Sequence, residues 1–140
     1  MSSPISILVR QLRLQAGFTQ QELTRVMGYE QAYLSAIELG LKPPSKEFVE
    51  KLADCLELSQ SDQEEIQTAL EQSKRRYLLP ADASTATYMF CHDLWGKIET
   101  AHPAVIEAMH AVLKLEDDIQ MRPRKIVTRL RRKQKAEAAM

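Results

Sequence analysis

Residues 17–40, "GFTQQELTRVMGYEQAYLSAIELG", hold three of the four glycines of a 140-residue chain, spaced eleven and twelve residues apart. Each interval has room for one short helix. In the first, Thr19-Gln20-Gln21-Glu22 sets a hydroxyl three residues ahead of a carboxylate, the pattern that satisfies free N–H groups at a helix start. The spacing predicts a helix from Thr19 with Leu23, Val26 and Met27 on one face, ended by Gly28 in the left-handed conformation. In the second interval Leu34 and Ile37 recur at helical spacing after a restart at Glu30, until Gly40 supplies another stop. Two short amphipathic helices around a tight Gly28-Tyr29-Glu30 turn make a helix-turn-helix, in which the first helix holds the second out from the body.

The flanks extend this pair to five helices. Ser3 and Pro4 read as a cap followed by a proline at the first helical position, opening a helix through Ile7, Leu8, Leu12 and Leu14 to Gly17. Beyond Gly40, Pro43 and Pro44 prevent helical continuation, and Ser45 caps a fourth helix bearing Phe48, Leu52 and Leu56. Ser61-Asp62-Gln63-Glu64 repeats the capping pattern and predicts a fifth helix with Ile66, Leu70, Ser73 and Tyr77 along one stripe. The expected class is all-α.

With these elements placed, residues 5 to 79 resemble the DNA-binding domain shared by phage lambda-type repressors, Cro proteins and bacterial Xre regulators. The resemblance is carried by Arg13, Gly17, Thr19-Gln20, Glu22-Leu23, Gly28, Leu34-Ser35, Ile37-Glu38, Gly40, Lys42 and Pro44, in the family's order and spacing. It implies a five-helix lambda-repressor-like domain whose third helix reads double-stranded DNA. It also implies that Arg13 pairs with Glu38, tying the first helix to the end of the recognition helix. Gln20 and Gln31 match glutamines that cooperate at one base pair in several phage repressors. In that arrangement Gln31 bonds adenine N6 and N7 in the major groove, while Gln20 bonds a phosphate and buttresses Gln31.

The rest of the recognition face is sparse in hydrogen-bonding groups. Taking Leu34 and Ile37 as inward places Ala32, Ser35, Ala36 and Leu39 outward at 100° per residue. Alanines suit thymine methyls, and Ser35 suits a phosphate or a base edge. Tyr33, on the flank, reads equally as a half-buried packing residue or as a phosphate donor. Arg25, Lys42, Arg10 and Lys46 are the cations placed to meet phosphates.

Charge is distributed unevenly, although the whole chain balances at 19 basic and 19 acidic residues. Residues 1 to 80 carry 9 basic against 11 acidic groups, and residues 81 to 121 carry 2 against 7. Residues 122 to 140 then hold 8 basic groups against Glu137 alone. Because a protein gains affinity for DNA by neutralising phosphates, weak binding by a single copy is expected of the first domain, with the basic segment supplying the missing cations. Pro123 can open a helix there, with Ile126, Val127 and Leu130 as an apolar strip; Arg122, Arg124 and Arg129 could instead fold back onto Glu116, Asp117 and Asp118.

The domain expectation is therefore residues 1–79 for the helix-turn-helix domain, 80–121 for a helical hairpin that makes a dimer, and 122–140 for a basic terminal segment. The hairpin reading rests on Thr87, Cys91, Leu94 and Ile98 along one stripe, with Tyr88, Phe90 and Trp95 beside it. Ile106, Met109 and Leu113, with Val105 and Val112, continue on a second helix. Too small to bury these groups alone, the segment should pack on the first domain, on a second copy of itself, or on both. Cys91, His92, Asp93, His102 and His110 match no zinc spacing, and no phosphate loop or nucleophile–base pair points to catalysis, so neither a metal, a cofactor nor an enzyme is expected. Without 18 consecutive apolar residues or a signal-peptide pattern, and with only Cys55 and Cys91, the expected setting is the cytoplasm, away from membranes. The function read from the sequence is a sequence-specific transcriptional regulator, a repressor binding a palindromic operator as a homodimer. The other reading is a protein-interaction module, such as the antitoxin of a toxin–antitoxin pair.

Overall fold

Serine and threonine hydroxyls begin most of the helices, as the computed structural model, which describes residues 2–121, makes plain. Ser3 opens α1 (Pro4–Gln15), Thr19 opens α2 (Gln20–Met27), and Glu30 precedes α3 (Gln31–Glu38) without a side-chain cap. Ser45, Ser59 and Ser84 cap α4 (Lys46–Cys55), α5 (Gln60–Gln72) and α6 (Thr85–Lys97), and α7 follows over Pro103–Met121. No strand occurs among the described residues. The fold is all-α: a helix-turn-helix domain followed by a helical C-terminal region. The chain divides after Leu78 into two units.

The first unit closes around one core. Ile5, Leu8, Val9 and Leu12 of α1 meet Leu34 and Ile37 of α3 and Ile66 and Ala69 of α5, while Leu23 and Met27 join Phe48, Val49 and Leu52. Leu23, Leu34, Ile37, Phe48 and Leu52 are wholly buried, so truncating any of them to alanine costs about 2–5 kcal/mol. Because the core packs against α1 from α3 and α5 together, its stripe centres on Val9. Ile7 and Leu14, two of the apolar residues read along this helix, lie on the opposite side and are exposed. In α2 the expected third core residue, Val26, is 64% exposed, and Thr24 takes its place. Packing against both α3 and α4 turns α2 toward Thr24, whose hydroxyl is satisfied by donating to the Gln20 carbonyl at 2.8 Å.

Two helix boundaries also differ from the sequence expectation. Helix α5 starts two residues earlier, because Ser59, rather than Ser61, accepts the Asp62 N–H. It ends at Gln72, where Ser73 donates to the Ala69 carbonyl at 2.6 Å and accepts the Ile5 N–H at 3.0 Å, closing α5 against the start of α1. Tyr77 consequently lies beyond the helix and is exposed, not on its stripe. At α2 the Thr19 hydroxyl accepts the Glu22 N–H, as a cap should, but donates to the Glu22 carboxylate instead of leaving it to reach back to the backbone.

Four connections share one closure. Phe18, Tyr29, Leu41 and Leu58 each donate their N–H to the carbonyl five residues earlier, at 3.0–3.2 Å. The residue before each has a positive φ: Gly17, Gly28, Gly40 and, with no glycine available, Glu57 at 50°. This is the left-handed helix end that satisfies otherwise free carbonyls.

In the second unit, α6 and α7 occupy the segment expected to form a hairpin, and the His102 Nδ1 accepts the Ala104 N–H at the start of α7. Among the residues whose burial is described, none of either helix belongs to the buried core. Cys91, Leu94 and Met109 are half-buried, whereas Tyr88, Phe90, Trp95, Val112, Leu113 and Ile119 are exposed. The expectations for residues 122–140 lie outside the described residues.

Candidate nucleic-acid interface

The site is built where the starts of α2 and α3 meet the end of α3. The left-handed turn at Gly28 brings the two helices into contact, which places Gln20, the first residue of α2, beside Gln31, the first residue of α3. The Gln31 Nε2 donates to the Gln20 Oε1 at 3.5 Å, the outer limit of a hydrogen bond. Gln20 in turn donates from Nε2 to the Glu38 Oε2 at 3.0 Å.

Glu38 is the centre of the arrangement. Its carboxylate accepts from Arg13 through Nη2 at 2.8 Å and through Nε at 3.1 Å to both oxygens, and the two side chains are only 10% (Arg13) and 3% (Glu38) exposed. The Arg13 Nη1 donates to the Phe18 carbonyl at 2.9 Å, so the guanidinium is used on both sides. A buried pair of this kind contributes little net stability, but it leaves a costly unpaired charge if one partner is removed. Four side chains thus form a continuous path from α1 to an exposed amide: Arg13, Glu38, Gln20 and Gln31.

The remaining predicted site residues spread around this path. Ala32 is exposed and Ser35 and Ala36 are half-buried, so the outward face of α3 offers methyl groups and one hydroxyl. Tyr33 is held inward. Its ring stacks on Tyr29 with centroids 5.3 Å apart and meets the Phe48 ring edge-on, and its hydroxyl accepts the Ser45 N–H at 3.1 Å. The packing role is therefore filled, and only the phenolic proton is left to donate outward. The Lys42 ammonium sits over the same ring, 5.4 Å from its centroid, which orients this exposed cation. Arg25 is exposed on α2.

The structure adds residues that sequence reasoning misses. Arg75 and Arg76, just after α5, line a cleft together with Lys42, Lys74 and the Gly40–Pro43 loop that follows α3. Lys74 is engaged by Glu71, whose hydrogen bond and charge raise its ammonium above the usual range. Arg75, Arg76 and Lys42 form no ion pair among the described residues. The run Lys74-Arg75-Arg76 is visible in the sequence, but its approach to Lys42 depends on α1 packing against both α5 and α3.

Residues 5–66 match the sequence model of a family described as a helix-turn-helix domain. A solved structure described as a SinR protein/SinI protein complex matches with 21% sequence identity and a TM-score of 0.40, covering 81% of this chain and 98% of that one. No curated protein matches the chain.

Proposed function

Residues 5–66 form a helix-turn-helix domain, and from this premise we propose that the protein is a sequence-specific DNA-binding regulator, a repressor acting as a homodimer on a two-fold symmetric operator. The observation that carries the reading is the Gln31–Gln20 pair. An exposed amide at the first position of the recognition helix, backed by a second amide, is a suitable reader of adenine. Lys42, Arg75 and Arg76 supply phosphate contacts at the other end of α3, which at 8 residues is about 12 Å long. Both ends of the helix therefore reach one duplex. Phosphate contacts from so few cations are thin for one copy, and a dimer doubles them.

The dimer is assigned to α6 and α7. Their exposed apolar side chains exceed what a lone helical pair can cover, and self-association would bury them. Two recognition helices must then meet successive major grooves about 34 Å apart.

The second reading, a protein-interaction module, is favoured by the acidic excess of residues 1–121, with 11 basic against 18 acidic groups. Retention on random duplex DNA across a salt series separates the two. The regulator binds at low salt and is released steeply as salt rises. A protein that is not retained even at low salt is the interaction module.

A further inference from the structure

An amide has a donor end and an acceptor end, and which end faces outward decides which base it matches. We propose that Glu38 sets the base preference of Gln31, acting through Gln20 as a positioning residue; this rests on the reading of the protein as a DNA binder.

Arg13 carries only donors, so the buried carboxylate it holds is fixed in place as a pure acceptor. Gln20 must turn its Nε2 toward that carboxylate, as it does at 3.0 Å, and its Oε1 away. The Oε1 faces Gln31, which can meet it only with Nε2. Gln31 is left presenting its own Oε1 beside its second N–H. One acceptor beside one donor matches the N6 amino group and N7 of adenine. Guanine offers O6 and N7, two acceptors, and meets the Gln31 oxygen with a repulsive contact. A carboxylate two side chains removed from the DNA thereby selects adenine over guanine.

Glu38→Gln tests the chain of orientations. The introduced amide keeps an oxygen for Arg13 and places an NH2 group where an acceptor faced Gln20. Gln20 then reverses, and so does Gln31, which now presents two N–H groups suited to guanine. Sites are selected from a random duplex pool with the wild type and with Glu38→Gln. The wild type should return adenine at the Gln31 position, and Glu38→Gln should shift the adenine-to-guanine ratio there at least about five-fold toward guanine, leaving the other positions unchanged.

Gln20→Ala keeps the Arg13–Glu38 pair and decides the matter even if Glu38→Gln fails to fold. Freed from its partner, Gln31 should lose several-fold of its adenine preference at that position only. Variants that keep the adenine preference, or that lose affinity evenly at every position, overturn the proposal, as does a wild-type site lacking adenine. A wild type that selects no sequence at all overturns the DNA-binding reading beneath it, a distinguishable failure.

Discussion

Arg13 and Glu38 hold each other through contacts of 2.8 and 3.1 Å in a nearly dry setting, so each charge depends on the other. Glu38→Ala should lower stability by about 3–5 kcal/mol in denaturant melts, since Arg13 is left buried without a counter-charge. Arg13→Met combined with Glu38→Leu should be much milder, because no unpaired charge remains. A Glu38→Ala protein that melts like the wild type refutes the buried pair's role. At the exposed end of the same path, Gln31→Ala should weaken binding to the best operator by roughly 1–3 kcal/mol and leave random DNA little affected. Equal losses on both DNAs in a binding titration would place Gln31 among the phosphate contacts. Arg13, Gln20, Gln31 and Glu38 are all legible in the sequence, as positions that its resemblance to lambda-type repressors singles out. The Gln20–Glu38 contact is not, since 18 residues separate them and only the folded crossing of α2 and α3 joins them.

Helix ends set the geometry one level up. At Gly28, φ is 78° and an added Cβ would meet nothing within 4 Å, so the demand for glycine there is conformational and not steric. Gly28→Ala should therefore cost about 1–2 kcal/mol, the penalty for an L-residue in the left-handed region. Glu57 occupies the matching place after α4 with φ of 50°. Replacing it with glycine removes about 1–2 kcal/mol of backbone strain against about 0.5–1 kcal/mol of added unfolded-state freedom. Relief of strain outweighs the added freedom, and Glu57→Gly should raise the melting temperature by a few degrees in calorimetry. An unchanged or lower value would show that Glu57 is held there by something more than the turn. This helix end is illegible in the sequence because glutamate carries no turn signal. The turn is imposed by the Leu58 N–H bonding the Ala53 carbonyl.

For the whole molecule, two deletions separate the roles of its parts. A chain ending at Leu78 keeps the complete first core, and by sedimentation it should be a monomer that binds operator poorly. A stable dimer of that piece would put the interface within the first unit. Removing residues 122–140 takes away 8 basic groups and one acidic group. If three cations per chain reach phosphates, the log–log slope of affinity against salt should flatten by roughly 5 for a dimer, with similar losses on specific and random DNA. A lower melting temperature with an unchanged slope would assign the segment a structural role instead.

The sequence alone determined the helices and their order, because caps, left-handed stops and 3.6-residue periodicity act over a few neighbouring residues. Ser3, Thr19, Gly28, Gly40 and Ser45 each mark a boundary by their own chemistry. Tertiary structure decided what periodicity cannot: which part of an apolar arc faces inward when a helix touches two neighbours. For that reason Val9 and Thr24 are buried while Leu14 and Val26 are not. It also decided the inward turn of Tyr33, the cleft that Lys42 lines together with Arg75 and Arg76, and the amide orientations that run from Glu38 to Gln31. Each of these joins groups distant in sequence, and only packing of the whole first unit sets the distance between them.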